Sequence, residues 1–265
     1  PVFVRRGSGR RSETAIVHFH FNAWAKYRDW GKDRRVPETA ARLLGKRLFH
    51  AQVGRRDFVL EGGGIEVNGR GTLLTTEECY LDRRVQVRNP GLGRQGFEAA
   101  LRAWLGVTNV FWLGRGVAGD DTHGHVDDIC RFVNPTTVVL IKETRRADHN
   151  YRPLAENWER IRDLRLEDGK KPEVVALPMP APLFHDGQRL PASYANFYIA
   201  NGTVIVCPTF VSMTGVFGAT VIGARSNPLT DTGTSARSRD RPRRFSSTAF
   251  PTPWTSRSSS PRSAR

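Results

Sequence analysis

The sequence of 265 residues has no run of 18 apolar residues, which excludes a membrane-spanning helix and leaves no membrane partner to expect. Cysteine is scarce: Cys79, Cys130 and Cys207 form no C-x-x-C spacing, so neither a disulfide framework nor a zinc ribbon is supported, and a reducing, cytoplasmic setting is the expectation. No charged-then-apolar signal region follows Pro1, and the chain is read as beginning inside a larger protein. Acid is short relative to base, with 26 Asp plus Glu against 41 Lys plus Arg and a formal charge of +15. What is present is substantial: 38% hydrophobic and 9% aromatic residues are too many for a wholly disordered polymer. The length fits one or two domains with a real core.

The charge is uneven. Residues 211–265 hold nine Arg and no Lys, two Asp and no Glu, together with 11 Ser, 8 Thr and 5 Pro. Such a stretch has little to bury and is expected to be a disordered tail, or the product of a shifted reading frame. Its arginines, at 241–244 and 257–265, could form a basic arm for nucleic acid. The absence of Lys and of aromatics at stacking intervals argues against that, so a nucleic-acid partner is not expected.

Residues 1–210 read instead as alternating strands and helices. Strands are predicted at 15–22, 58–60, 65–67, 72–75, 109–113, 129–133, 137–141, 173–177, 196–199 and 203–206. Helices are predicted at 33–50, 95–105 and 152–166. The first helix would bury Val36, Ala40, Leu43, Leu44 and Leu48, with Pro37 tolerated in its first turn. Helix starts recur about every 60 residues, the range in which repeated modules are suspected. Three strand-strand-helix-strand modules are visible, which predicts an α/β architecture built by internal repetition.

The densest chemistry is GDDTHGHVDD at 119–128, with two His and four carboxylates in a Gly-punctuated loop after a strand. Three readings compete. One is a polar turn whose Asp and Thr side chains cap backbone groups. Another is a metal box, because His123, His125 and Asp127 resemble the start of the H-x-H-x-D-H pattern of two-metal hydrolases. Asp128 stands where that pattern needs its last His. The third pairs His125 as acid/base with Asp127 as a cation-binding carboxylate, since residues i and i+2 of an extended segment point the same way. Gly114-x-Gly116-x-x-Gly119 follows a strand like a dinucleotide fingerprint, but carboxylates rather than a helix come next. Asn201-Gly202-Thr203 reads as a tight turn rather than a glycosylation acceptor.

FNAW at 21–24, LEGGGIEVNGRGTLLTTEECYL at 60–81, NPGLGRQ at 89–95, GDDTHGHVDD at 119–128 and SYANFYIANGTVIV at 193–206 together carry a resemblance. The chain is similar to the agmatine deiminase and bacterial-type peptidylarginine deiminase family over residues 1 to about 210. The resemblance implies a partial deiminase domain with a pentein fold, a five-bladed α/β propeller, incomplete at both ends. It implies hydrolysis of a small guanidine such as agmatine, or of peptidyl-arginine, with no metal and no organic cofactor, and is compatible with a homo-oligomer. By resemblance, His125 is the general acid/base, Asp127 a guanidinium-binding carboxylate and Glu61 the carboxylate nearest the His. Asn196, His123 and Asp121 are carried over as substrate-binding residues.

The chemistry suits the residues. A guanidinium is planar and multiply donating, so its site wants carboxylates. Its carbon is a poor electrophile, so a thiolate must attack while His moves protons. Two family segments are missing: an Arg-Asp-x-Gly-Pro stretch that would precede Pro1, and a Gly-rich segment near the C-terminus that carries the nucleophilic Cys. Cys79, Cys130 and Cys207 each read as buried structural thiols, and the chain as it stands is expected to be inactive. His123, Gly64 and Glu66 depart from the agmatine deiminase pattern and mark a divergent member. Trp24, Trp30 or Trp112 could offer an aromatic face to a distal ammonium.

Overall fold

The computed structural model describes residues 1–7, 12–200, 203–206 and 220–223. The readings of Cys207, of the 201–202 turn and of most of 211–265 fall outside these residues. In the first unit, β1 (Val2–Arg6) runs antiparallel to β2 (Glu13–His18), and α1 (Val36–Leu44) leads to β3 (Leu48–His50), which is parallel to β2. A short hairpin follows, β4 (Gln52–Val53) with β5 (Arg56–Asp57). The second unit repeats the order. β6 (Glu66–Val67) is antiparallel to β7 (Thr72–Thr76), and α2 (Glu77–Leu81) and α3 (Arg94–Leu105) lead to β8 (Asn109–Leu113), parallel to β7.

The third unit places β9 (Cys130–Asn134) antiparallel to β10 (Thr137–Lys142), with α4 (Tyr151–Arg160) crossing to β11 (Glu173–Pro178), parallel to β10. Parallel neighbours need such a crossover, so each of the three parallel pairs is joined through a helical segment. A small hairpin, β12 (Phe184–His185) with β13 (Gln188–Arg189), precedes an antiparallel sheet of β14 (Phe197–Ala200), β15 (Thr203–Val206) and β16 (Thr220–Gly223). The three strand-strand-helix-strand modules expected from the sequence are therefore present. One strand, β16, forms within the segment expected to lack structure. Among the described residues no helix is long and apolar enough to cross a membrane.

Two apolar cores meet along β7, whose five residues are all buried. Leu73 packs into a core with Val17, Phe19, Phe58, Phe97, Leu101 and Trp112, whereas Leu74 faces a second core with Leu113, Ile129, Val138, Leu140 and Leu154. Alternation along a strand sends neighbours to opposite faces, so one strand serves both cores.

The helix expected over 33–50 is corrected. A 3-10 turn at Asp33–Arg35 leads into α1, and Gly45, at φ 57°, ends it by donating its N–H to the Ala41 and Arg42 carbonyls. Glycine adopts that left-handed conformation without penalty, so the helix stops and Leu48 goes to β3. The expected apolar face is also wrong: Val36, Leu43 and Leu44 are exposed, and Pro37 and Ala41 are the buried residues. The strand expected at 58–60 shrinks to one bridge between Val59 and His20. The Asn89 side chain accepts from the Val59 N–H at 3.0 Å and donates to its carbonyl at 2.9 Å, taking the place of a strand partner.

Phe97 has no exposed surface and stacks against Phe58, Tyr80 and Trp112 with ring centroids 5.1, 4.6 and 5.6 Å away. Replacing such a ring leaves a cavity as well as losing burial. Phe97→Ala should lower unfolding stability by about 3–5 kcal/mol, read from urea titration monitored by circular dichroism.

Candidate active site

Conserving backbone reach is the first requirement of the site, and glycine meets it. Residues 61–64 turn tightly, with the Gly64 N–H donating to the Glu61 carbonyl at 3.1 Å, and the Thr75 hydroxyl anchors the turn by donating to the Gly64 carbonyl at 2.8 Å. The Asp127 N–H donates to the Gly63 carbonyl at 3.2 Å. A Cβ on Gly63 would collide with the His125 ring and lie 2.8 Å from Asp127 Oδ2, so a side chain there would displace both residues. Opposite, the Asp120 carboxylate accepts from the N–H groups of Gly124 at 2.7 Å and His125 at 3.0 Å, and this closes the 119–125 loop. The Thr76 hydroxyl, beside the first turn of α2, donates to the Gly124 carbonyl.

At the centre, His125 Nε2 lies 2.7 Å from Glu61 Oε2, and Arg88 grips the same carboxylate twice, Nε to Oε1 and Nη2 to Oε2, each at 3.0 Å. The side chains of Arg88, Glu61 and His125 are 0%, 3% and 10% exposed. The bidentate fork holds Glu61 in one orientation and so fixes the imidazole ring. The Tyr80 hydroxyl accepts from the Glu61 N–H at 3.0 Å. Arg88 also donates to the carbonyls of Gln86 and Thr122. On the other side of the ring, His125 Nδ1 is 3.9 Å from Asp127 Oδ1, a buried oxygen without a hydrogen-bond partner. Burial pushes the Asp127 carboxyl above its ordinary range.

Glu61, His125 and Asp127 open onto a cleft of about 530 Å³ whose walls include Phe19, Phe21, Trp24, Leu60, Thr122 and Asp33. Sequence reasoning placed His125, Asp127 and Glu61 together, and the fold does so. The remaining candidates sit elsewhere. His123, at φ 62°, turns its Nε2 to Asp82 Oδ2 at 2.9 Å. Asp121 pairs with the Lys26 ammonium and the Tyr27 hydroxyl, and the ammonium holds its carboxyl below the ordinary range. Asn196 donates to Asp128 Oδ1 at 3.0 Å, and burial pushes the Asp128 carboxyl up to about 7. None of these three lines the cleft.

Of the tryptophans weighed for a distal ammonium, Trp24 alone lines the cleft. Trp112 is a core residue bonded to Glu98, and Trp30 stacks on His20. Cys79 and Cys130 are buried, and burial raises both thiols well above the ordinary range. Sequence reasoning missed Arg88 and Asp33. A buried Arg carries no local mark in a chain with 41 cationic residues. Two groups among the described residues bring three metal-ligating atoms within 4.8 Å of one another: Glu61, Cys79 and His125, and separately His18, Glu38 and His50. The first is already committed internally through Arg88 and the Glu61–His125 contact. Neither contains the His123–His125 pair that the metal-box reading requires.

Known proteins resemble the chain in sequence and in fold. The agmatine deiminase of Medicago truncatula is 38% identical over 237 residues, covering 77% of this chain and 60% of that protein. That of Pseudomonas fluorescens is 36% identical over 234 residues, covering 79% and 60%. The chain thus spans about 60% of the length of these curated relatives. Among solved structures, Enterococcus faecalis agmatine deiminase superposes with a TM-score of 0.65 at 31% identity, covering 73% of this chain and 57% of that one. The agmatine deiminase of C. jejuni with substrate bound gives 0.63 at 30% identity, covering 73% and 55%. These neighbours share the α/β fold. The family described as Porphyromonas-type peptidyl-arginine deiminase matches residues 1–214, most of the chain, and on that match and these identities the chain belongs to that family of guanidine-modifying hydrolases.

Proposed function

We propose that the cleft binds the guanidinium of agmatine, with Asp127 as its carboxylate partner and His125 as the proton carrier. One observation carries this reading: Asp127 Oδ1 is buried beside His125 without a partner, whereas the neighbouring carboxylates are already engaged. Glu61 is held by Arg88, Asp128 by Asn196, Asp120 by backbone N–H groups and Asp121 by Lys26. A cationic, donating ligand meets both needs of Asp127, charge and hydrogen bonds. Trp24 and Asp33 on the same cleft offer an aromatic face and a carboxylate to a distal ammonium, which favours agmatine over a peptide-linked arginine.

In the reaction inferred for the intact family, a thiolate attacks the guanidinium carbon, the C–N bond breaks, and ammonia leaves with a proton delivered by the histidine that His125 matches. Water, deprotonated by the same ring, then attacks the amidino-thioether. The C–S bond breaks and leaves N-carbamoylputrescine and the free thiol. Glu61 keeps the ring oriented through its contact at 2.7 Å. Neither Cys79 nor Cys130 suits the nucleophile, because each is enclosed in a core and holds its proton tightly. The reading is therefore that this chain binds guanidines without turning them over. Neither metal nor organic cofactor enters it. The three repeated units support the same reading of the fold, as blades of a pentein propeller within a deiminase domain spanning 1–210.

Calorimetric titration with agmatine and with a blocked arginine peptide tests the reading, alongside ammonia release with and without chelator. Agmatine should bind, the peptide more weakly, and no ammonia should appear. Failure of both ligands to bind would sink it. Asp127→Asn should weaken agmatine binding by roughly 10–100-fold, the worth of a charge-assisted hydrogen bond.

Asp128 predicts a pH dependence. Its folded pKa of about 7 lies above the ordinary 3.8, so the fold holds this proton more tightly than the unfolded chain. The stability from its protonated form is present at low pH and is lost as pH rises from about 4 to 7. Asp128→Asn should remove roughly 2–4 kcal/mol of that decline, measured as the difference between urea-unfolding free energies of the two proteins across pH 5–8.

A further inference from the structure

The βαβ crossover of the first unit brings together three metal-ligating side chains that the guanidine site does not use. His18 ends β2 and His50 ends β3, and the parallel register pairs them directly, with ring centroids 5.0 Å apart. Val17 and Phe19 face the first core, so alternation turns His18 to the other face of the sheet. From the first turn of α1, Glu38 places Oε1 3.9 Å from His18 Nδ1. One ligating atom from each of the three residues lies within 4.8 Å of the others.

His18 is nine-tenths buried, yet its Nδ1 has no hydrogen-bond partner. A buried polar nitrogen left unpaired is costly, and a metal ion is one group that would satisfy it without adding a protein donor. The Glu38 side chain is 51% exposed, so an ion could enter and keep water in a remaining position. Two imidazoles and one carboxylate at the carboxyl ends of parallel strands are a donor set suited to a borderline divalent ion.

We propose that His18, Glu38 and His50 form a binding site for a zinc-class divalent ion that fastens α1 to the β2–β3 edge. The fold gives this fastening a purpose. Only Pro37 and Ala41 of α1 are buried, while Val36, Leu43 and Leu44 are exposed, so the helix has little apolar anchorage of its own. An ion bridging Glu38 to the two strands adds the missing tie. The site stands apart from the guanidine cleft reading and does not depend on it.

Titration of the 265-residue chain with zinc alone, followed by calorimetry, should show one tight site, and zinc should raise the melting temperature and the hydrogen-exchange protection of α1 amides. Removing a residue that merely supports a ligand costs roughly 10–100-fold in affinity, so His50→Ala and Glu38→Gln, both at exposed positions, should each weaken zinc binding by at least about 100-fold. Circular dichroism on both variants would verify that they remain folded. Cobalt should give visible ligand-field bands without a thiolate charge-transfer band. Absence of zinc binding, unchanged affinity in the two variants, or a thiolate band that moves the ion to the Glu61–Cys79–His125 group would overturn the proposal.

Discussion

The contact between the Glu61 carboxylate, the Arg88 fork and the His125 ring is the constraint on which the rest of the site depends. Burying a carboxylate and a guanidinium costs several kcal/mol for each ion, and mutual attraction returns this only when the geometry is good and the remaining hydrogen bonds are satisfied. Here they are: Arg88 makes two bonds to Glu61 and further bonds to the Gln86 and Thr122 carbonyls. Such a pair adds little net stability over an apolar substitute. Its value is orientation, because a ring held at 2.7 Å from a fixed carboxylate presents its other nitrogen to Asp127 and the cleft.

Much of the surrounding structure serves that orientation. Asn89 completes the hydrogen bonding of Val59, two residues before Glu61, and Tyr80 receives the Glu61 N–H. Thr75 and Thr76 at the end of β7 hold the turn at 61–64 and the loop at 119–125 from the same strand. β7 itself is immobilised by burial on both faces between the two cores. The long motif at 60–81 is thus a physical unit: one end carries the carboxylate, the middle supplies the doubly buried strand, and the last turn positions the loop that bears His125.

The sequence was most legible where a residue type has few uses. The Gly-rich turn after Leu60 and the crowded loop at 119–128 both marked the site, and Gly63 is small because the His125 ring occupies the space where its Cβ would lie. The third reading of that loop set His125 and Asp127 side by side on an extended segment; the two side chains do lie together, but because a 3-10 turn over Val126–Asp128 follows His125, not because the segment is extended. His123 and Asp121 misled because adjacent carboxylates and imidazoles look equivalent in a string. The turn at His123 points its ring toward Asp82, and Asp121 meets Lys26 and Tyr27 from a segment nearly a hundred residues away in sequence. The apolar face predicted for α1 failed for a related reason. Periodicity finds a stripe, but burial depends on whether another element covers it.

By itself the sequence determined the α/β class, the threefold recurrence of strand, strand, helix and strand, the family, and the loop that carries His125. These follow from local periodicity, glycine placement and long ordered motifs, all of which are written along the chain. The tertiary structure alone decided which carboxylate is free. Asp120, Asp121, Asp127, Asp128 and Glu61 are chemically alike, and only their partners separate them: backbone N–H groups, a lysine, an amide, an arginine and, for Asp127 Oδ1, no partner. It also decided that His18, Glu38 and His50, 20 and 12 residues apart, meet at one sheet edge. Parallel register and a helical crossover create that meeting, and neither distance nor register is contained in any one segment of the chain.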